Sequence, residues 1–78
     1  MSDTQKLSKD LLSRSRVIAK GRRIRDVARL VETRGGRASL WVKKSSPRLE
    51  LESEVCEYHW YEHRGIGRFE VKLKRRNQ

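Results

Sequence analysis

The chain's strongest constraint is a pair of period-two stretches, 55–62 and 68–74, separated by His63-Arg64-Gly65-Ile66-Gly67. Successive side chains on a strand point to opposite faces. In the second stretch Phe69, Val71 and Leu73 therefore lie on one side, and Arg68, Glu70, Lys72 and Lys74 on the other. The glycines between the stretches suit a tight reversal. Two strands joined this closely pair antiparallel. The first stretch also alternates, but in a different currency. Cys56, Tyr58 and Trp60 suit a core, whereas Glu57, His59, Tyr61 and His63 can donate, accept or transfer protons. The expectation is that this second set lies on an uncovered sheet face.

The rest of the chain is read around that hairpin. Arg48–Glu52 alternates with Leu49 and Leu51 inward, and Ser53-Glu54 reads as the turn into the next strand. Residues 38–46 predict a further short strand, with a helical turn at 38–41 as the alternative, and Ser45-Ser46-Pro47 closes it. Ile24, Val27, Ala28, Leu30 and Val31 recur at helical spacing, so a second helix is expected from Arg22 to Arg34, capped by Gly35 and Gly36. Arg22, Arg25 and Arg29 fall on its outer face, as a solvated ridge or as a phosphate-contacting one. Residues 2–16 predict a first helix, with Leu7, Leu11 and Leu12 on one face and Ser2, Asp3 or Thr4 as its cap. The expected fold is α+β: two N-terminal helices on one face of a three- to four-stranded antiparallel sheet. It forms one domain over 1–78, with a docking helix that frays at 1–16 and a frayed basic tail at 75–78.

Composition enters through charge. Twenty Lys and Arg face 10 Asp and Glu, a formal net charge of +10. Such an excess attracts phosphate polymers or anionic surfaces. The helical half, 1–37, carries 11 basic and 4 acidic groups, and the sheet half 9 and 6. No apolar run approaches the ~20 residues of a spanning helix. The start has no secretory signal, which points to the cytoplasm. Cys56 is the single cysteine, so an internal disulfide and a Cys/His zinc cluster are both excluded.

On the expected open face, His59, Tyr61, Arg68 and Lys72 would meet, with Lys43 or Lys44 and the Ser45 and Ser46 hydroxyls approaching from the neighbouring strand. RNA carries its own nucleophile, the 2′-OH. Cleavage then needs a base, an acid and cations at the crowded phosphate. Histidine serves either proton role near neutral pH. No cofactor is required, and there is no acidic cluster of the kind that holds catalytic magnesium. Trp41 reads as core or as a base-stacking platform, and His63 as a surface histidine or an RNA contact.

Arg34-Gly35-Gly36, Trp41-Val42-Lys43-Lys44-Ser45-Ser46, His59-Trp60-Tyr61-Glu62, Gly67-Arg68 and Glu70-Val71-Lys72 occur in that order. In this the chain resembles the C-terminal ribonuclease toxin domains of bacterial polymorphic and contact-dependent inhibition toxins, of the barnase/EndoU/colicin/RelE-like superfamily. The resemblance implies metal-independent cleavage of RNA, often tRNA, and an acidic immunity protein or antitoxin as partner. Lys43, Lys44, Ser45, Ser46, His59, Tyr61 and Lys72 fall in the matching motifs. The alternative from charge alone is a non-catalytic RNA- or DNA-binding module.

Overall fold

The computed structural model describes residues 7–75. In order, these form helix α1 (Lys9–Ser13), strand β1 (Arg16–Lys20), a 3-10 turn (Gly21–Arg23) and helix α2 (Val27–Arg34). A second 3-10 turn (Ala38–Leu40) leads into strands β2 (Trp41–Ser45), β3 (Leu49–Leu51), β4 (Glu54–His63) and β5 (Gly67–Arg75). The architecture is α+β with an antiparallel sheet of five strands, not three or four. None of the helices among the described residues is long and apolar enough to cross a membrane.

The strands form a meander. β1 pairs with β2, β2 and β3 with β4, and β4 with β5. Cys56 is opposite both Leu49 and Arg75, and His59 is opposite both Ser45 and Lys72. β2 and β3 therefore lie end to end along one edge of β4, with β5 on the other. Ser46 bridges the gap: its amide donates to Tyr58 O (2.9 Å) and its hydroxyl accepts from the Tyr58 amide (3.0 Å). A hydroxyl here replaces a ladder carbonyl, so Pro47, which has no N–H, can follow without leaving β4 unpaired.

The extra strand is β1, which starts at Arg16, the residue where the expected first helix, 2–16, was to end. Among the described residues of that stretch only Lys9–Ser13 is helical, and its cap is Ser8, whose Oγ accepts from the Leu11 amide (3.2 Å). The caps expected at Ser2, Asp3 or Thr4 lie outside the described residues, as does the tail from 76 to 78. The β-branched pair Val17-Ile18 favours a pleated conformation. Ile18 is the extra residue of a bulge, because Val17 and Ala19 face the adjacent Lys44 and Lys43.

Helix α2 starts later than expected, at Val27, and Ala28 is exposed rather than in the buried stripe. Gly35 ends it at φ 91°, with its amide on Val31 O (2.8 Å) and its carbonyl accepting from Trp41 Nε1 (3.0 Å). The helix buries Val27 and Leu30, together with Ile24 before it, against Trp41 and Tyr61; Ala19, Val31, Ala38 and Phe69 pack around them. Leu30 and Trp41 are fully buried. Each such side chain contributes roughly 1.5–3 kcal/mol.

That packing overturns the expected exposure. Trp41, Lys43 and Ser45 share a face with His63, Tyr61 and His59, their direct partners. This is the face that α2 covers at its Trp41–His63 end. The helices do not share one face. Leu12 and Ser15, at the end of α1, border Lys44, Glu62 and Arg68, which lie on the opposite side. The other large ring of β4, Trp60, is also on that side and is 1% exposed; its Nε1 donates to Glu62 Oε1 (3.0 Å).

Candidate nucleic-acid interface

Where α2 stops covering the sheet, a cleft of about 360 Å³ opens, with Lys43, His59, Tyr61, Glu70, Lys72 and Lys74 in its floor and Arg23, Arg25 and Asp26 on the helical side. Five lining cations (Arg23, Arg25, Lys43, Lys72, Lys74) face two lining carboxylates (Asp26, Glu70). Both carboxylates are already engaged. Arg29 reaches from α2 to make a two-pronged contact with Glu70 (2.8 and 2.9 Å), and lies 3.5 Å from Asp26. The Arg29 bond holds the Glu70 carboxyl below its ordinary range, and in return raises the guanidinium's own value. Arg29 thus ties α2 to β5 rather than meeting a ligand, and the remaining cations are left to one.

A bulge makes this tie possible. Between His59↔Lys72 and Tyr61↔Phe69 there are two residues on β5 for one on β4. Glu70, one of the two, has φ 59°. A non-glycine residue in the left-handed region costs of order 1–3 kcal/mol and tends to occur at sites. Here it aims a carboxylate at the helix and keeps Lys72 and Lys74 on the cleft side.

Tyr61 is 9% exposed, and its hydroxyl donates to Asp26 Oδ2 (3.1 Å). That bond, with Arg29, lowers the Asp26 carboxyl. Burial, then the same carboxylate, raises the Tyr61 phenol. A phenol held protonated in this way positions Asp26 and is a poor base. Lys43 Nζ lies 5.9 Å from the Tyr61 ring centroid.

His59 is the central titratable group, with 19% of its side chain exposed. Its Nε2 is 3.0 Å from Glu57 Oε1. A carboxylate oxygen accepts, which puts a ring proton on Nε2. Nδ1 is shut off from solvent and has no hydrogen-bond partner among the described residues. Glu57 is itself 3% exposed; it accepts from Ser45 Oγ (3.0 Å), with Arg48 Nε 3.7 Å and Arg16 Nη2 4.0 Å from its other oxygen.

The structure therefore gathers Lys43, His59, Lys72 and Arg25 at one cleft, with the Tyr61 ring as a wall. It does not bring the other expected residues there. Arg68 pairs across from Glu62 on the opposite face, and Lys44 lies 3.5 Å from that same glutamate. Ser45 and Ser46 are fully buried. Trp41 is fully buried, so it is core and not a platform. His63 is 6% exposed and packs edge-on against Trp41 at 5.2 Å, accepting from the Gly65 amide through Nδ1 (3.0 Å). Arg22 is exposed on the first 3-10 turn, outside the cleft lining.

Asp26, Arg23 and Lys74 were missed as site residues; Glu57 was placed on the face of His59 but given no role in the site. Glu57 and Lys74 had a visible signal, since period two puts them on the same faces as His59 and Lys72. Among the described residues, no group of three or more His, Cys, Asp or Glu side chains could hold a metal ion. No family model, curated protein or solved structure matches the chain.

Proposed function

We propose that this chain is an endoribonuclease that cleaves RNA through its 2′-OH, without a metal, leaving a 2′,3′-cyclic phosphate. The observation that carries the reading is a carboxylate-bound histidine, His59, set among Lys43, Lys72 and Lys74 in a cleft whose own carboxylates are already occupied. His59 takes the proton of the attacking 2′-OH as the O2′–P bond forms and returns a proton to the 5′ oxygen as the P–O5′ bond breaks. Lys43 and Lys72 stabilise the negative charge that builds on the phosphate oxygens. Arg23, Arg25 and Lys74 hold flanking phosphates. Tyr61 and Asp26 shape the wall between them. Arg68, on the other face, has no part in the chemistry. In the toxin-domain reading the substrate is tRNA in the cytoplasm of the target or producing bacterial cell, and an acidic immunity protein or antitoxin covers the cleft.

Incubation with total tRNA in EDTA tests this. The intact protein should yield fragments, and His59→Ala should yield none while still binding RNA. Equal cleavage by both proteins would remove His59 from the reaction.

One observation favours a second reading. Nε2 of His59 is committed to Glu57 and Nδ1 is enclosed. If RNA does not turn the ring or displace Glu57, the same cleft is a phosphate-binding surface and no bond is broken. Tight, steeply salt-dependent binding without products selects that alternative.

A further inference from the structure

Residues directly opposite one another on paired strands share a face. The registers Arg16↔Ser45, Ser45↔His59 and His59↔Lys72 therefore align into one transverse row across β1, β2, β4 and β5. Strands lie about 4.8 Å apart, so the row spans roughly 14 Å from Arg16 to Lys72. Ser45, its second member, is fully buried and spent on Glu57 and on Ser46 O. The row thus presents a cation at each end and an imidazole between them. Arg16 is 58% exposed, and its one acidic neighbour among the described residues is Glu57 at 4.0 Å, which Arg48 also approaches (65% exposed, 3.7 Å). Two half-exposed guanidiniums over one buried carboxylate leave positive charge and unused N–H donors facing outward.

We infer that Arg16 forms a second phosphate subsite, so that the RNA backbone crosses the strands at right angles, with one phosphate at Lys72–His59 and a neighbouring one at Arg16. This rests on the RNA-cleft reading and adds to it a direction for the chain and a minimum length of ligand. A substrate with a single phosphodiester fills only the Lys72–His59 end. A longer one also gains the guanidinium. Arg16 is the residue at which the expected first helix was to end, so nothing in the linear pattern brought it near His59.

The experiment uses the full chain and fluorescently labelled oligouridylates with 2′-O-methyl sugars, which cannot be cleaved, in a salt titration of binding. One single-strand phosphate contact contributes about 0.7 to the slope of log affinity against log salt, or about fivefold in affinity at 0.1 M salt relative to 1 M. For an eight-nucleotide ligand, Arg16→Gln should lower the slope by about 0.7, and Arg16→Lys should restore most of it. Lys20→Gln is the control: it removes one charge from the same strand, at a position paired with Val42 on the opposite face, and should leave the slope unchanged. For a dinucleotide, Arg16→Gln should bind as the intact protein does. Equal slopes for the Arg16→Gln and Lys20→Gln proteins, or equal losses with long and short ligands, would overturn the subsite. Failure of the intact protein to bind any of these ligands would overturn the RNA reading itself, and the subsite with it.

Discussion

Gly36 offers a quantitative test of the packing that seats β4. Its φ is +83°, and a Cβ built on it would lie 2.5 Å from His63 Nε2, 2.7 Å from His63 Cδ2 and 2.9 Å from Ile66 Cδ1. Neighbouring Gly35 has a similar φ, +91°, but a Cβ there meets nothing within 4 Å. The pair separates backbone strain from steric clash. Gly35→Ala should cost only the strained backbone, of order 1–3 kcal/mol. Gly36→Ala should cost that plus about 1–3 kcal/mol for forcing His63 and Ile66 out of place. The whole domain is stabilised by roughly 0.05–0.15 kcal/mol per residue, so the second loss is a large share of the total. Urea unfolding followed by tryptophan fluorescence is the assay, because Trp41 packs edge-on against the displaced histidine. At a slope near 1 kcal/mol per molar, the Gly36→Ala midpoint should fall at least ~1 M further than that of Gly35→Ala. Equal midpoints would show that His63 is not held beneath Gly36, and the account of this end of β4 would fail.

Other outcomes follow from the same geometry. Lys72→Gln should reduce the salt slope of RNA binding by about 0.7, whereas Arg68→Gln, of equal charge change on the opposite face, should leave both slope and cleavage near those of the intact protein. Asp26 and Glu70 titrate below their ordinary 3.8 and 4.5, so the stability they contribute is present above those values and is lost as pH falls through the lowered ones. Tyr61→Phe removes the main cause of the Asp26 shift, and a denaturation series below pH 4 should show a shallower acid limb. Tyr61 titrates above its ordinary 10.0, so its own contribution holds below pH 10 and is lost above it. The phenylalanine variant should lack that alkaline loss, and an unchanged alkaline limb would contradict the buried phenol.

The sheet's later half was legible because period two survives wherever strands are long. β4 and β5 fall within a residue or two of the expected 55–62 and 68–74. The face alternation held along β4, but on β5 the bulge at Glu70 broke it, putting Arg68 on the face opposite Lys72 and Phe69 on the face opposite Leu73, and the assignment of cover failed as well. Tyr61 and His63 read as polar, but the Tyr61 hydroxyl is satisfied internally by Asp26 and the His63 Nδ1 by the Gly65 amide, while His63 Nε2 is buried without a partner among the described residues. A ring whose polar atoms find local partners packs as core, and no periodicity reveals which partners it will find. β1 had no counterpart in the expected fold, because Leu7, Leu11 and Leu12 give a helical pattern that ends at Arg16, and 17–20 lead straight into the break at Gly21. The pair Val17-Ile18 between Ser15 and Gly21 was the countersignal. The bulge at Glu70 had no local signal, since glutamate is an unusual choice for φ 59° and only Arg29, 41 positions away, explains it.

The central claim, that RNA's own hydroxyl attacks under the control of His59, has a direct measurement. An oligonucleotide that the protein cuts in EDTA is resynthesised with one 2′-deoxy sugar, immediately 5′ to the scissile phosphate. The account expects cleavage at that linkage to vanish while binding persists, and the all-ribose fragments to end in a 2′,3′-cyclic phosphate. Continued cutting at the deoxy linkage would contradict it.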